Sequence, residues 1–344
     1  MTDPMRIVRT FDQLPHVARD VCVAIGVFDG VHIGHQRVIA EARTDAKAIG
    51  GTSIVLTFDP HPLRVLHPEK APLLLTSTPH KLRLLERLNV DVCLLLTFDK
   101  QFSEQPPEQF IESLARHANR LHEICVGARF RFGHNRTGDA RLIEKLAPAY
   151  GYLAKEIASV KLGEETISST AVRQHVLHGR LDRAAAMLGR PFSILGVVEP
   201  GDARGRKLGF PTANLNPSGE VLPPNGVYAV RVCIVGQASP VRGTLSPTGT
   251  HVRLSAVSRS DPQDTCQTYG GVVNIGLRPT FKDRPPQRIL EVHIFDLARA
   301  LYGQEVEVSF IQKLRDERKF DSADALKRQI GADIAEARSI LAKR

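Results

Sequence analysis

Apolar and polar positions change rhythm part-way along this chain of 344 residues. In the first part, short apolar, β-rich runs at Val21–Val27, Thr52–Phe58, Val90–Phe98 and Ile124–Val126 alternate with helical patterns at Gln36–Ile49, Pro79–Leu88 and Pro107–Asn119. That alternation predicts a parallel sheet with helices on both faces. Helical patterns continue at Arg141–Gly151 and Thr170–Gly189, and Gly189-Arg190-Pro191 breaks the second. Beyond it come strand-like runs separated by turns: Phe192–Val198, Gly226–Val235, Val272–Ile275, Ile289–Phe295 and Val306–Lys313. Helical periodicity returns only at Ala323–Ala342, so this part predicts an all-β barrel with a C-terminal helix. The boundary falls near residues 186–191, giving domains 1–186 and 187–344. Gly236–Cys266, rich in Ser, Thr, Pro, Gly and Arg without clear period, reads as a mobile insertion.

Composition narrows the classes. Hydrophobic residues make up 42% of the chain, ample for two cores, and no apolar run approaches the ~20 residues that span a bilayer. Met1–Asp20 has no signal-peptide pattern. Five scattered cysteines, an odd number, predict a reduced, cytoplasmic protein without a disulfide framework. The net charge of +9 fits nucleic acid or small anionic substrates. Aromatic residues are only 6% and no long Lys/Arg tract exists, so small anions are favoured.

Four segments carry candidate chemistry. The first is Gly26-Val27-Phe28-Asp29-Gly30-Val31-His32-Ile33-Gly34-His35, between a strand and a helix. A glycine turn running into a helix start forms an anion site, and the His32-x-x-His35 pair can donate to an α-phosphate as charge develops there. That chemistry is nucleotidyl transfer; a zinc site is the weaker reading, because no further ligand stands at metal spacing. The second is Ser168-Ser169-Thr170 followed by Arg173, hydroxyls at a helix start with a guanidinium one turn on. Alone it is an ordinary cap; beside the histidine turn it reads as a triphosphate clamp. The third runs from Gly201 through Gly205, Lys207, Gly209, Phe210 and Pro211 to Thr212 and Asn214. A basic glycine loop can wrap polyphosphate, and the neutral oxygens of Thr212 and Asn214 suit Mg²⁺ shared with phosphates. It is not a Walker loop, since Gly-Lys-Ser/Thr is absent. In the fourth, Leu290–Asp296, alternation puts Glu291, His293 and Phe295 on one strand face, with Glu291 available as a general base.

Taken in order, GVFDGVHIGHQ, FDPHP, FRFG, ISSTAVR, GFPTAN, GVYAV, NIGLRPTF, LEVHIFD and LRDERKF resemble the bifunctional prokaryotic riboflavin kinase/FMN adenylyltransferase family over nearly the whole chain. The resemblance implies an α/β nucleotidyltransferase-type, Rossmann-like N-terminal domain and a C-terminal antiparallel riboflavin kinase barrel. It implies phosphorylation of riboflavin to FMN and adenylylation of FMN to FAD, each with ATP and Mg²⁺. It implies these residue roles. His32 and His35 hold phosphate and stabilise the transition state, within a nucleotide-binding turn that includes Gly26, Phe28, Asp29 and Gly34. Ser168, Ser169, Thr170 and Arg173 bind phosphate, Thr212 and Asn214 bind the metal, and Glu291 activates the ribityl hydroxyl. Arg315 lies in a segment, Leu314–Phe320, matching a mobile loop near the flavin. The expected partners are small molecules, with neither nucleic acid nor membrane, in a monomer or weak homo-oligomer. One departure is Arg129, where the family commonly has Asp or Asn before Phe-Arg-Phe-Gly. It leaves a second expectation, a kinase whose adenylyltransferase half is impaired.

Overall fold

The structure is a computed structural model that describes residues 4–16, 20–200, 209–217, 219–235, 266–278, 287–297, 299 and 301–343. They form two compact units, one running to Leu73 and from Thr78 to Ser169, the other taking Leu74–Ser77 and the described chain from Thr170 onward.

The first unit is built on a six-stranded sheet: β1 (Arg6–Val8), β2 (Asp20–Ile25), β3 (Thr52–Asp59), β4 (Val92–Thr97), β5 (Arg120–Gly127) and β6 (Leu153–Ile157). Their order is β1-β4-β3-β2-β5-β6, and every pairing is parallel. The helices between them are α1 (Ile33–Ala48), α2 (Pro62–Leu66), α3 (Thr78–Glu86), α4 (Lys100–Ser103), α5 (Pro107–His117) and α6 (Ala140–Tyr150). Strand alternation divides the core. Val21, Val23 and Ile25 join Phe110, Ile111 and Ile143 of α5 and α6, while Cys22 and Ala24 join Ile39, Leu84 and Leu85 of α1 and α3. Both faces are thus buried, as the alternation required. The chain winds one way from β2 to β4 and the other way to β5 and β6, so the order reverses between β2 and β5. In open α/β sheets the ligand crevice lies outside the carboxyl ends of the strands at that reversal. The histidine turn leaves the end of β2 and the Phe-Arg-Phe-Gly loop the end of β5. A hairpin, β7 (Lys161–Leu162) and β8 (Glu165–Thr166), leads to the serines.

In the second unit the expected single helix over Thr170–Gly189 is two, α7 (Ser169–Leu177) and α8 (Leu181–Leu188). Gly179, at φ 70°, ends the first by a left-handed turn that a glycine adopts without strain. The barrel strands are β9 (Ser193–Glu199), β10 (Ala213–Leu215), β11 (Gly226–Val235), β12 (Cys266–Arg278), β13 (Gln287–Ile294) and β14 (Glu305–Arg315). They close in the order β10-β13-β12-β11-β14-β9, antiparallel throughout. The terminal helix α9 (Ala323–Ala342) packs Ala337 against Ala229 and Phe295 of the barrel. Cys22, Cys93 and Cys125 are free and buried, but Cys233 is disulfide-bonded, against the expectation of a chain without disulfides. Spacing could not show it, because which cysteines meet depends on which strands pair. Nearly all of the expected insertion (residues 236–265), and with it any reading of its mobility, lies outside the described residues, as do Gly201, Gly205 and Lys207.

Candidate active sites

The histidine turn is a strained piece of backbone held from several sides. Phe28 and Val31 carry φ of 53° and 41°, and Gly30 carries 81°. Non-glycine residues persist there only when their surroundings over-determine them. Here both Phe28 and Val31 are fully buried, the Val31 amide donates to the Phe28 carbonyl at 3.1 Å, and Gln36 Nε2 donates to the Val31 carbonyl at 2.8 Å. Gly26 is required by close approach, because a Cβ there would stand 2.9 Å from the Phe28 ring.

α1 begins one residue beyond His32, three residues earlier than the periodicity suggested, because His32 itself caps it. His32 Nδ1 accepts the His35 amide at 3.2 Å, so the ring proton of the neutral imidazole sits on Nε2, which becomes a donor. The two rings stack at 3.5 Å between centroids, and His35 meets Phe28 edge-on at 5.2 Å. Gly34 lets the stack form; its Cβ would lie 3.2 Å from the His32 ring. Burial first, then His32 and Lys81, hold the His35 imidazole well below its ordinary value. His35 is therefore neutral at pH 7, and its buried Nδ1 has no protein partner. Ser169 Oγ, on the last residue of the first unit before Thr170, donates to the Asp29 carbonyl of the histidine turn at 2.9 Å. His32, His35, Phe28, Asp29, Gly34 and Ser169 are thus one neighbourhood. Ser168 immediately precedes α7; Thr170 and Arg173 continue that helix within the second unit. Beside the start of α1, Ile33, Arg37, Ile157, Ala158 and Val160 help to line an open hollow of about 490 Å³. Phe98 and Phe102 pack edge-on at 5.6 Å, Phe130 stacks on Phe132 at 5.3 Å, and Phe110 joins the two pairs into a phenylalanine cluster at the same end of the sheet. Arg129 is exposed on that loop.

On the barrel, register decides the site. Glu291 lies opposite Asn214 on one side and Asn274 on the other, so three polar side chains form one row across β10, β13 and β12. Their neighbours Leu215, Leu290, Val292, Val273 and Ile275 are buried, which puts the row on the outer face. His293, two residues on, gives its Nδ1 proton to the Pro211 carbonyl at 2.9 Å, since a carbonyl only accepts, and meets Phe210 edge-on at 5.7 Å. Those contacts hold Phe210 and Pro211 against β13, with Thr212 next in the chain. Gly209, at φ 88°, makes the turn before them.

The segment after β14 reaches this row, because a Cβ on Gly276 would stand 2.5 Å from Glu317 Oε1 and 3.4 Å from Asn274 Nδ2. Arg315 is committed to protein: Nε and Nη2 donate to the Asp333 carboxylate at 2.9 and 2.7 Å, and Nη1 to the Asp316 carbonyl at 3.0 Å. Gln329 completes the set, donating to Asp333 at 2.7 Å. As placed, Arg315 pins the Leu314–Phe320 segment to α9. Asn274 escaped the sequence reading because only register puts it beside Glu291.

A family model described as FAD synthetase matches residues 14–171, and one described as riboflavin kinase matches residues 188–341. The curated bifunctional riboflavin kinase/FMN adenylyltransferase of Escherichia coli K12 is 36% identical over 97% of this chain and 97% of its own length. The chain belongs to that family. The Haemophilus influenzae relative is 34% identical over 97% of this chain and 99% of its own length, and the Bacillus subtilis one is 34% identical over 92% and 90%. A solved Streptococcus pneumoniae structure titled a macrolide-efflux protein is 28% identical, covers 98% of this chain and 99% of its own, and superposes at TM-score 0.75. Among the described residues no helix is long and apolar enough to cross a membrane.

Proposed function

We propose that this chain phosphorylates riboflavin to FMN at the Glu291 row and adenylylates FMN to FAD at the histidine turn. The observation that carries this is the presence of two chemically different sites, one in each unit. A carboxylate among amides suits deprotonation of a hydroxyl. A stacked, neutral histidine pair at a helix start suits an α-phosphate. The family-model spans support the functional division expected at 186/187.

In the kinase step Glu291 takes the proton of the ribityl 5′-hydroxyl. The oxygen forms a bond to the γ-phosphorus, the bond to the β-γ bridging oxygen breaks, and ADP leaves. Thr212 and Asn214 offer a hydroxyl and an amide carbonyl, hard neutral oxygens that fit Mg²⁺, and Asn214 shares the row of Glu291. The ion would neutralise charge on the ATP phosphates. In the adenylylation step an FMN phosphate oxygen attacks the α-phosphorus and pyrophosphate leaves. His32 Nε2–H and the first-turn amides of α1 meet the charge that develops on the α-phosphate. The hollow lined by Ile33 and Ile157 takes the nucleoside, and the phenylalanine cluster that includes Phe98, Phe102 and Phe130 takes the flavin ring. Nothing at the exposed Arg129 favours an impaired adenylyltransferase. A cytoplasmic location and a monomeric or weakly oligomeric state complete the reading.

The test is a chromatographic time course with riboflavin, ATP and Mg²⁺. FMN should appear and then convert to FAD. Glu291→Gln should abolish FMN formation and spare adenylylation of supplied FMN, while His35→Ala should do the reverse. Loss of both activities in either folded variant would overturn the two-site reading.

A further inference from the structure

Beneath the histidine turn lies a lysine that no motif announces. Lys81, on α3, is 6% exposed. Its Nζ lies 3.0 Å from the Phe58 carbonyl, 3.1 Å from Thr57 Oγ1 and 3.3 Å from the Val27 carbonyl. Thr57 Oγ1 donates its own proton to the Val27 carbonyl at 3.0 Å, so it faces Lys81 only as an acceptor. Three acceptors around one nitrogen require three N–H donors, and only the charged ammonium has them. A neutral amine would turn its lone pair on one of these oxygens. The bonds join the end of β3 to the first residue after Gly26, where the strained turn begins. Burying a lone ammonium is costly, and neutral side chains could have supplied the same bonds. Its charge is therefore the feature that needs a reason.

We propose that Lys81 is a positioning residue for adenylyl transfer: its ammonium fixes the floor of the histidine turn and sets a positive charge near the His35 imidazole. This rests on the placement of adenylylation at that turn. The titratable groups facing Lys81 are Asp29 from the turn, Asp59 from the end of β3, Cys93 from β4 and His35 from α1. Burial lowers the Lys81 pKa, and Cys93, Asp29 and Asp59 act against that shift, so it is the three acceptors that hold the ammonium form. The charge opposes protonation of His35, together with burial and His32. It also adds to the field at a site where negative charge accumulates during reaction.

Lys81→Gln keeps N–H donors and removes the charge. The expected result is a ~10–100-fold fall in kcat for FMN adenylylation, with KM for ATP within ~3-fold of wild type. The His35 titration midpoint, read by NMR of labelled histidine, should move to higher pH, and riboflavin kinase activity of the same preparation should be unchanged. Adenylylation within twofold of wild type, or a fall with an unmoved His35 midpoint, would overturn the proposal. Thr57→Val covers the case in which Lys81→Gln does not fold. It removes one acceptor, keeps the ammonium, and should slow adenylylation by a few-fold with His35 unmoved; a wild-type rate would overturn the proposal. His35→Ala, measured in parallel, separates the two readings. If it retains adenylylation, the site assignment fails whatever Lys81 does.

Discussion

Lys155→Met should unfasten the helix that presents the histidines. Lys155 lies on β6, and its Nζ stands 2.6 Å from Asp45, 3.1 Å from Glu41 and 3.3 Å from Glu123. Glu41 and Asp45 belong to α1 and Glu123 to β5, so one ammonium joins the helix to the sheet. The three carboxylates differ in worth. Glu41 and Asp45 are about a third exposed or less, and solvent screens their part to ~0–1 kcal/mol each. Glu123 is 2% exposed, and breaking a buried pair by removing one partner costs ~3–5 kcal/mol. The variant should therefore lose ~3–5 kcal/mol in the first unit, nearly all of it through Glu123. With two units a single unfolding transition is not assured, so the activities serve as local probes. Urea at the wild-type midpoint of adenylylation should abolish that activity in the variant while the kinase persists. The pH dependence has a definite sign. Burial raises the Glu123 carboxyl above its ordinary value, so its ionised form costs the folded state. That cost is absent below the unfolded value, ~4.3, and grows as pH rises through the folded value. Without Lys155 it is larger, so the gap between variant and wild type should narrow as pH falls from 7 toward 5. Lys155→Met with Glu123→Leu should recover much of the loss, since an apolar replacement removes the stranded charge. A loss below ~1 kcal/mol, or one that widens on acidification, would refute the reasoning.

Other expectations follow from single contacts. Asp333→Ala strands the mostly buried Arg315 guanidinium and releases the Leu314–Phe320 segment, so the second unit should lose ~3–5 kcal/mol and KM for riboflavin should rise, by denaturation and kinase kinetics. Gly26→Ala puts a methyl 2.9 Å from the Phe28 ring and should slow adenylylation ~10-fold or more with kinase activity intact. Asn274→Ala empties one side of the Glu291 row and should lower the kinase kcat, with adenylylation serving as the control.

Much of this protein was legible in one dimension, and the parts that were share a cause. The α/β and barrel halves came from periodicity, because a face buried against any partner imposes its spacing on the chain. The terminal helix runs over Ala323–Ala342 as periodicity indicated, with Ser322 as its cap. The histidine turn was visible because glycines at fixed offsets mark backbone that other residues cannot adopt. What periodicity lacks is the identity of the partner. β1 and β6 sit at the sheet edges, short or half-exposed, and leave no apolar pattern. The break at Gly179 depended on where the chain turned. Asn274 joined Glu291 through strand register, which shifts every neighbour when it slips by one residue. Lys81 and Lys155 are lysines of no special spacing until folding surrounds one with three oxygens and the other with three carboxylates. Residue order along the chain is enough to show which segments bury a face and where the backbone must turn sharply. Which charges are buried and what they meet emerges only on folding, because those energies depend on distances between residues far apart in the chain.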